Sequence, residues 1–358
     1  PPFRGGADDV CFAISEQVFL SLDRENLPGP NGHLPYLCDD SNFEYSDLPA
    51  AMIHAEYYLS QAFLAFFHRR VAGRKSLALI SVLSTDGSTY SKAGMQMLVD
   101  EDGLAQGMLS GGCLEGDLAE RVMRSLDEGE SALVTYDLND DDGLFGLNVG
   151  CEGTIRALIL PLRHQDGYEP LATWVDRLKQ HDFVDVDLSA YDSQGSGSAV
   201  TRVFRPRELL VLGAGKDAEP LISLSQILGW HVTVFDHRSA YLDNVAIQAA
   251  DAICCDEPGR VARVVELQRT DAAIIMSHNL TADTEYLRVL AESEVGFVGL
   301  IGPPHRRDRL LAELGGQALL FAERLRAPVG TRIGGRGPAA IALEIVAELQ
   351  AYFSAERS

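Results

Sequence analysis

The chain has 358 residues, of which 46% are hydrophobic and 23% charged, and its formal net charge is −22. This length predicts two domains rather than one core, and the acidic balance excludes nucleic acid as a partner, because phosphates are neutralised by clustered Lys and Arg. No apolar run reaches the roughly 18 residues of a membrane span, and six cysteines are too few for a disulfide scaffold, so we expect a cytoplasmic protein without a membrane partner.

Two features precede the first predicted sheet. Residues 1–48 hold nine acidic residues against two arginines, and we interpret them as an acidic extension with little regular structure. Apolar and aromatic residues at helical spacing over residues 50–71 then predict a helix. A helix with so many aromatic side chains needs another surface to cover them, and we therefore expect a homodimer.

Residues 49–192 are predicted to form a small α/β domain. A helix is expected from about Leu114 to Leu126. The predicted strands are Leu77–Leu83, Met95–Val99, Leu104–Leu109, Ala132–Tyr136 and Thr154–Leu160.

Two cysteines of this domain sit inside glycine-rich bends. Gly111 and Gly112 precede Cys113, and Gly150 precedes Cys151. Because glycine has no side chain to keep other groups away from the backbone, such thiols are open to a ligand or partner. The two cysteines are 38 positions apart and form no C-x-x-C motif, which argues against a structural zinc site.

Cys113 comes just before the predicted helix. Backbone N–H groups and the helix dipole there favour the thiolate, whereas the acidic side chain of Glu115 opposes it. A thiolate at this position is a candidate nucleophile, a ligand for metal or sulfur, or a persulfide carrier.

Residues 199–358 are predicted to form a second domain with a doubly wound parallel sheet, because strands and helices alternate regularly. A final helix is expected over Pro338–Phe353, with proline in its first turn. The predicted strands are Glu208–Leu212, His231–Phe235, Ala252–Cys255, Ala272–Met276 and Gly296–Leu300.

The first strand of this domain leads into a dinucleotide-type fingerprint, Gly213-Ala214-Gly215-Lys216-Asp217-Ala218. The glycines allow a tight turn and the close approach of a phosphate. Asp236 follows 23 residues after Gly213, at the end of the next strand, where it can accept a ribose hydroxyl. The pattern predicts a phosphate-bearing ligand, with a purely structural Rossmann unit as the alternative.

Further polar residues follow later strands, whose carboxyl ends meet at the same crevice. His278 ends the fourth strand and is a candidate site residue, with structural capping as the alternative. Arg306 follows the fifth strand and either contacts phosphate or begins a solvated helix. We find no acid–base residue paired with a substrate arginine, which a dehydrogenase would need.

Several of these motifs resemble the XdhC/CoxI family over about residues 75–350. The most specific element is Ser110-Gly111-Gly112-Cys113-Leu114-Glu115, and Val82–Met97 is similar to the N-terminal signature of that family. The second cysteine loop, the glycine fingerprint, Met276-Ser277-His278 and Gly299–Gly302 follow in the family's order.

The resemblance implies a maturation factor for molybdenum hydroxylases of the xanthine dehydrogenase type, more an accessory chaperone than a catalyst. Such a protein binds molybdenum cofactor (molybdopterin), protects it during sulfuration by a cysteine desulfurase and helps deliver it to the apoenzyme. We therefore expect the metal near Cys113 and Cys151, beside Gly111, Gly112 and Glu115, and the phosphate near Gly213–Lys216. The cofactor is expected between the two domains.

Two other functions remain open from the sequence. An NAD(P)-dependent oxidoreductase explains Gly213, Gly215 and Asp236 but leaves both cysteine loops without a role. A scaffold protein with an empty Rossmann domain is the third possibility. Both alternatives share the predicted fold, a small N-terminal α/β domain followed by a Rossmann-like domain.

Overall fold

The structure is a computed structural model that describes residues 11–12, 55–110, 114–138, 153–191, 200–321 and 323–355. Contacts divide the chain into two compact units, with the division after Pro206. We call residues 23–206 the N-terminal unit. We call residues 207–358, together with the described strand Cys11–Phe12, the Rossmann unit.

The strands are β1 (Cys11–Phe12), β2 (Ala55–Tyr58), β3 (Leu77–Gly87), β4 (Gln96–Asp100), β5 (Ala105–Gln106), β6 (Ala132–Asp137), β7 (Gly153–Leu162), β8 (Phe183–Asp187), β9 (Val200–Phe204), β10 (Glu208–Leu212), β11 (His231–Phe235), β12 (Ala252–Cys254), β13 (Ala272–Ile275), β14 (Phe297–Leu300) and β15 (Leu325–Arg326). The helices are α1 (Gln61–Ala72), α2 (Glu115–Glu128), α3 (Leu171–Leu178), α4 (Ala218–Ile227), α5 (Ser239–Leu242), α6 (Val261–Val264), α7 (Leu280–Ala291), α8 (Pro304–Leu314) and α9 (Pro338–Ala355). No helix in these ranges is long and apolar enough to cross a bilayer.

The N-terminal unit is built on a five-stranded sheet with the order β5-β4-β3-β7-β6, in which every neighbouring pair is antiparallel. Both faces of this sheet are covered. Ala78, Ile80 and Val82 pack with residues of α2 on one face, while Leu77 and Leu79 pack with residues of α1 and α3 on the other. Burial on both faces explains why β3 begins with a continuous apolar run rather than an alternating one.

The N-terminal unit also has a second sheet, none of whose strands is predicted from the sequence patterns. It has the order β2-β9-β8, with β2 parallel to β9 and β8 antiparallel to it. Its strand β9 follows the Gly/Ser-rich segment after residue 191 and still belongs to the N-terminal unit. Its inward side chains join the same core as α1 and α3.

The prediction of one helix over residues 50–71 is wrong in its first part. The structure has strand β2 at 55–58, and α1 begins only after Ser60, whose hydroxyl accepts a hydrogen bond from the Phe63 N–H at 3.0 Å. Such a side chain is a strong helix start signal. The aromatic side chains of α1 at positions 63, 66 and 67 are buried within the same chain, so this helix does not need a second copy to cover it.

The Rossmann unit contains the expected doubly wound sheet. Strands β10 to β15 are parallel in the order β12-β11-β10-β13-β14-β15, and β1 pairs antiparallel with the edge strand β12. Helices α4 and α9 cover one face, while α7 and α8 cover the other. The predicted fold class is therefore confirmed.

Candidate functional site

The sheet order reverses between β10 and β13, and ligands of such sheets bind beyond the carboxyl ends of the strands at this point. The backbone there is packed tightly. Gly213 has φ +127°, and a Cβ at this residue would lie 2.6 Å from the Ser277 nitrogen and 2.7 Å from the Met276 carbonyl carbon. Glycine at 213 is therefore required both by its backbone angle and by the neighbouring strand end.

Asp236, the predicted ribose acceptor, is fully buried and already hydrogen-bonded on both carboxylate oxygens. The Ala214 N–H donates to Oδ2 at 2.8 Å, and Arg238 Nη2 donates to the same oxygen at 2.7 Å. Oδ1 accepts from the Arg238 backbone N–H and from Arg238 Nε, both at 2.9 Å. In this structure Asp236 thus fastens the glycine loop to β11, and a ribose hydroxyl would have to displace one of these donors.

The charge state of Asp236 follows from these contacts. Burial would raise the pKa of its carboxyl group, but the Arg238 side chain and the N–H groups of Ala214 and Arg238 outweigh burial and lower that pKa below its usual value. The Arg238 guanidinium also lies over the ring of Tyr241, 3.7 Å from its centroid. Asp236 and Arg238 together form an ion pair in which the carboxylate is buried and the guanidinium is partly exposed.

The loop after Gly213 leaves hydrogen-bond donors open. The Gly213 N–H donates to the Phe235 carbonyl at 2.8 Å, and Ala214 donates to Asp236. The next three N–H groups, of residues 215–217, have no acceptor among the described residues. They stand at the start of α4 beside the exposed side chain of Lys216, an arrangement suited to an anion.

His278 lies at the same strand end. It has φ +58°, a value uncommon for a residue with a side chain. Its Nε2 lies 2.6 Å from Oδ2 of Asp217, and the His278 side chain is 60% exposed. The structure therefore brings His278 to the glycine loop and gives it a partner, Asp217, that the sequence patterns do not single out.

Arg306, the other predicted anion contact, is paired inside the protein. Its Nη2 donates to Oδ2 of the buried Asp283 at 2.5 Å, and the Ser277 hydroxyl donates to the other carboxylate oxygen at 2.5 Å. A Cβ on Gly302 would lie 2.7 Å from Arg306 Cδ, so glycine makes room for this side chain. Arg306 thus links α8 to the end of β13 through Asp283.

The predictions for Gly111, Gly112, Cys113 and Cys151, and for the side chain of Glu115, lie outside the described residues. Among the residues that are described, no group of three or more His, Cys, Asp or Glu side chains could hold a metal ion.

The described ends of the two cysteine-bearing segments are linked by contacts. A Cβ on Gly153 would lie 2.4 Å from the Asp86 carbonyl oxygen and 2.8 Å from Thr89 Cγ2. The Thr89 hydroxyl donates to the Ser91 carbonyl at 2.7 Å, and the Ser91 hydroxyl donates to the Leu109 carbonyl. The start of β7 and residue 109 therefore lie at the same end of the five-stranded sheet.

These features define a two-unit α/β protein with a Rossmann-type ligand crevice. Residues 209–349 match the model of the XdhC Rossmann domain, and residues 71–137 match that of the XdhC and CoxI family. Together the two ranges cover more than half of the chain. The chain belongs to the XdhC and CoxI family.

Named relatives match along most of their length. The chain is 28% identical over 312 residues to a protein of Bacillus subtilis named as a probable xanthine dehydrogenase subunit, covering 77% of this chain and 93% of the relative. It is 24% identical over 314 residues to the molybdenum cofactor insertion chaperone PaoD of Escherichia coli, covering 81% and 90%. A crystal structure described as a xanthine dehydrogenase from Bacillus halodurans has 26% identity and a TM-score of 0.68, covering 83% and 96%.

Proposed function

We propose that this chain is a maturation factor that binds molybdenum cofactor, holds it while a cysteine desulfurase sulfurates it, and helps insert it into an apo molybdenum hydroxylase of the xanthine dehydrogenase type. The observation that carries the proposal is that family matches fall in both units, and that a relative aligned over 90% of its length is named a molybdenum cofactor insertion chaperone. The protein would act as a binding partner of the cofactor and of the client enzyme.

In the proposal the Rossmann unit holds the cofactor's phosphate at the glycine loop. The open N–H groups of residues 215–217 and the Lys216 ammonium support this assignment, since a phosphate is stabilised at a helix N-terminus. His278 lies at the same loop and is a further candidate contact. Arg306 and Asp236 act here as braces of the crevice, because both are already paired.

Cys113 and Cys151 hold the molybdenum side in this proposal, together with Gly111, Gly112 and Glu115, which flank Cys113 in the sequence. Thiolates are soft ligands suited to a metal that carries sulfur ligands of its own. The contacts that link Gly153 to Leu109 support the pairing, because they bring the described ends of both cysteine-bearing segments to one end of the sheet.

The proposal is tested by anoxic titration of the purified chain with isolated molybdenum cofactor. We expect Cys113→Ser and Cys151→Ser each to weaken binding by about tenfold or more, since each removes a thiolate ligand. Cys255→Ser is the matched control, because Cys255 lies in the Rossmann unit and outside both cysteine loops, and it should bind as the wild type does. Activation of an apo hydroxylase in the presence of a cysteine desulfurase is the second readout.

Unchanged binding in both cysteine variants would contradict the metal-side assignment. Parallel titrations with NADH and NADPH separate the oxidoreductase alternative, which requires nicotinamide binding without any dependence on the thiols. The engaged carboxylate of Asp236 does not favour that alternative.

A homodimer is a further part of the proposal. The aromatic face of α1 no longer supports it, but the Rossmann unit exposes large apolar side chains, among them Val245 at 85% and Leu319 at 81%. Such side chains can cover each other in a second copy.

A further inference from the structure

A side chain already occupies the space next to Gly215, the second glycine of the fingerprint. A Cβ on Gly215 would lie 2.4 Å from Oδ1 of Asp217. In dinucleotide-binding proteins this glycine is small so that a pyrophosphate can approach the backbone. Here a carboxylate of the same chain lies where that anion would approach.

Asp217 is also unusual as a helix start. It stands at the N-cap position of α4, yet its side chain makes no capping hydrogen bond. An aspartate at this position commonly accepts from the first N–H groups of the helix and stabilises it. The carboxylate of Asp217 instead turns toward His278, whose Nε2 lies 2.6 Å from Oδ2, and the N–H groups of residues 215–217 have no acceptor within the described part of the chain.

The backbone around His278, the partner of Asp217, fixes where its side chain lies. His278 follows Ser277, whose nitrogen lies against the Gly213 backbone, and it adopts φ +58°. The imidazole is thereby kept at the mouth of the glycine loop, 60% exposed. A phosphate bound to the loop N–H groups would lie beside His278 and compete with the carboxylate for it.

We propose that Asp217 is an internal competitor for the phosphate position: its carboxylate occupies the space above Gly215 and pairs with His278 until a phosphate-bearing ligand displaces it and takes His278 as a contact. This inference rests on the proposed function only in assigning the glycine loop to phosphate. The Asp217 carboxylate and a phosphate repel each other strongly and cannot occupy the position together. Phosphate therefore binds only to chains in which Asp217 has moved away, and the apparent affinity is lower the smaller that fraction of chains is. Asp217 thus lowers the apparent affinity of the glycine loop for phosphate ligands.

The test is calorimetric titration of the full chain with inorganic pyrophosphate. Asp217→Asn removes the charge and keeps an oxygen that can accept from His278, so we expect it to bind pyrophosphate about tenfold more tightly than the wild type. The double variant Asp217→Asn with His278→Ala should lose most of this gain, because residue 278 then makes no contact. Glu219→Gln is the matched control: it removes one negative charge from the first turn of α4 and keeps a side-chain oxygen that can accept from Asn244 Nδ2, as Oε1 of Glu219 does at 2.6 Å. It should change the affinity less than about twofold, since a partly exposed charge is screened by solvent.

Equal affinity of Asp217→Asn and the wild type would overturn the inference, as would an equal gain in Glu219→Gln or no binding to any variant. The outcome is separable from that of the cofactor titration. Tighter pyrophosphate binding in Asp217→Asn without any binding of molybdenum cofactor supports Asp217 as competitor and rejects the proposed cargo. Binding of molybdenum cofactor together with no effect of Asp217→Asn on pyrophosphate binding supports the proposed cargo and rejects Asp217 as competitor.

Discussion

At the scale of single residues, the crevice of the Rossmann unit is organised by carboxylates that face inward. Asp236 accepts from the Ala214 N–H of the glycine loop. Asp283 accepts from Arg306 and from the Ser277 hydroxyl. Asp217 lies within hydrogen-bond distance of His278. Asp236 and Asp283 are buried, and each is matched by an arginine and a further donor, as burial of a charge requires. Two side chains predicted from the sequence as ligand contacts, Asp236 and Arg306, therefore have partners within the protein.

The lowered pKa of Asp236 makes the stability of the protein pH-dependent. A carboxyl group whose pKa is lower in the folded state stabilises the fold above its unfolded value of about 3.8 and loses this contribution as the pH falls through the folded value. We expect Asp236→Asn to be less stable than the wild type near neutral pH, by about 1–3 kcal/mol for the lost charged hydrogen bonds. The difference should shrink below about pH 3.8.

Chemical denaturation of both proteins between about pH 6 and 3 measures this difference. Asp243→Asn, next to the end of α5, serves as the control because it removes an acidic charge from the same unit. A difference between wild type and Asp236→Asn that stays constant across this range would mean that the stabilising contacts of residue 236 do not depend on its charge.

At the scale of elements, the positions of strands depend on glycines that let backbones approach. Gly213 directly follows β10 and packs against the backbone of Met276 and Ser277. Gly153 begins β7 and packs against the Asp86 carbonyl. Because these approaches are to backbone atoms, a side chain at either position cannot be accommodated by moving a flexible neighbour.

Gly213→Ala is therefore expected to destabilise the Rossmann unit by about 2–4 kcal/mol, since it combines a positive φ with a contact to the neighbouring strand end. Gly316→Ala is the matched control in the same unit, because nothing lies within 4 Å of its added Cβ and its φ is not in the positive range. Thermal denaturation of the two variants compares them, and similar midpoints would contradict the role of packing at Gly213.

At the scale of the whole molecule, each copy carries a net charge of −22, which opposes self-association at low ionic strength. If exposed apolar side chains of the Rossmann unit cover each other, the dimer should be favoured as the ionic strength rises. We expect light scattering at micromolar concentration to give twice the chain mass of 38.9 kDa at about 0.3 M salt. A monomer at every ionic strength would remove the homodimer from the proposal.

Much of the fold follows from local patterns in the sequence. The bounds of β10 and β11 are predicted correctly, because short apolar runs between turn residues identify buried parallel strands. The family follows from motifs with fixed order and spacing. Strands β2, β8 and β9 are not predicted. Strand β2 pairs with β9 at residues more than a hundred positions away, which no local pattern reveals, whereas β8 and β9 pair with each other over a short separation.

The Rossmann unit, the glycine loop and the family can all be inferred without coordinates, because each of these depends on residues that are close along the chain. Which polar side chains are open to a ligand became clear only from the three-dimensional arrangement. Asp236 and Arg306 are paired internally, and Asp217 reaches His278 across 61 positions of sequence. The pair of Asp236 with Arg238 is local in the sequence. The pairs of Arg306 and Asp217 depend instead on which strand ends meet at the edge of the sheet, and that is set by the order of the strands rather than by any local pattern.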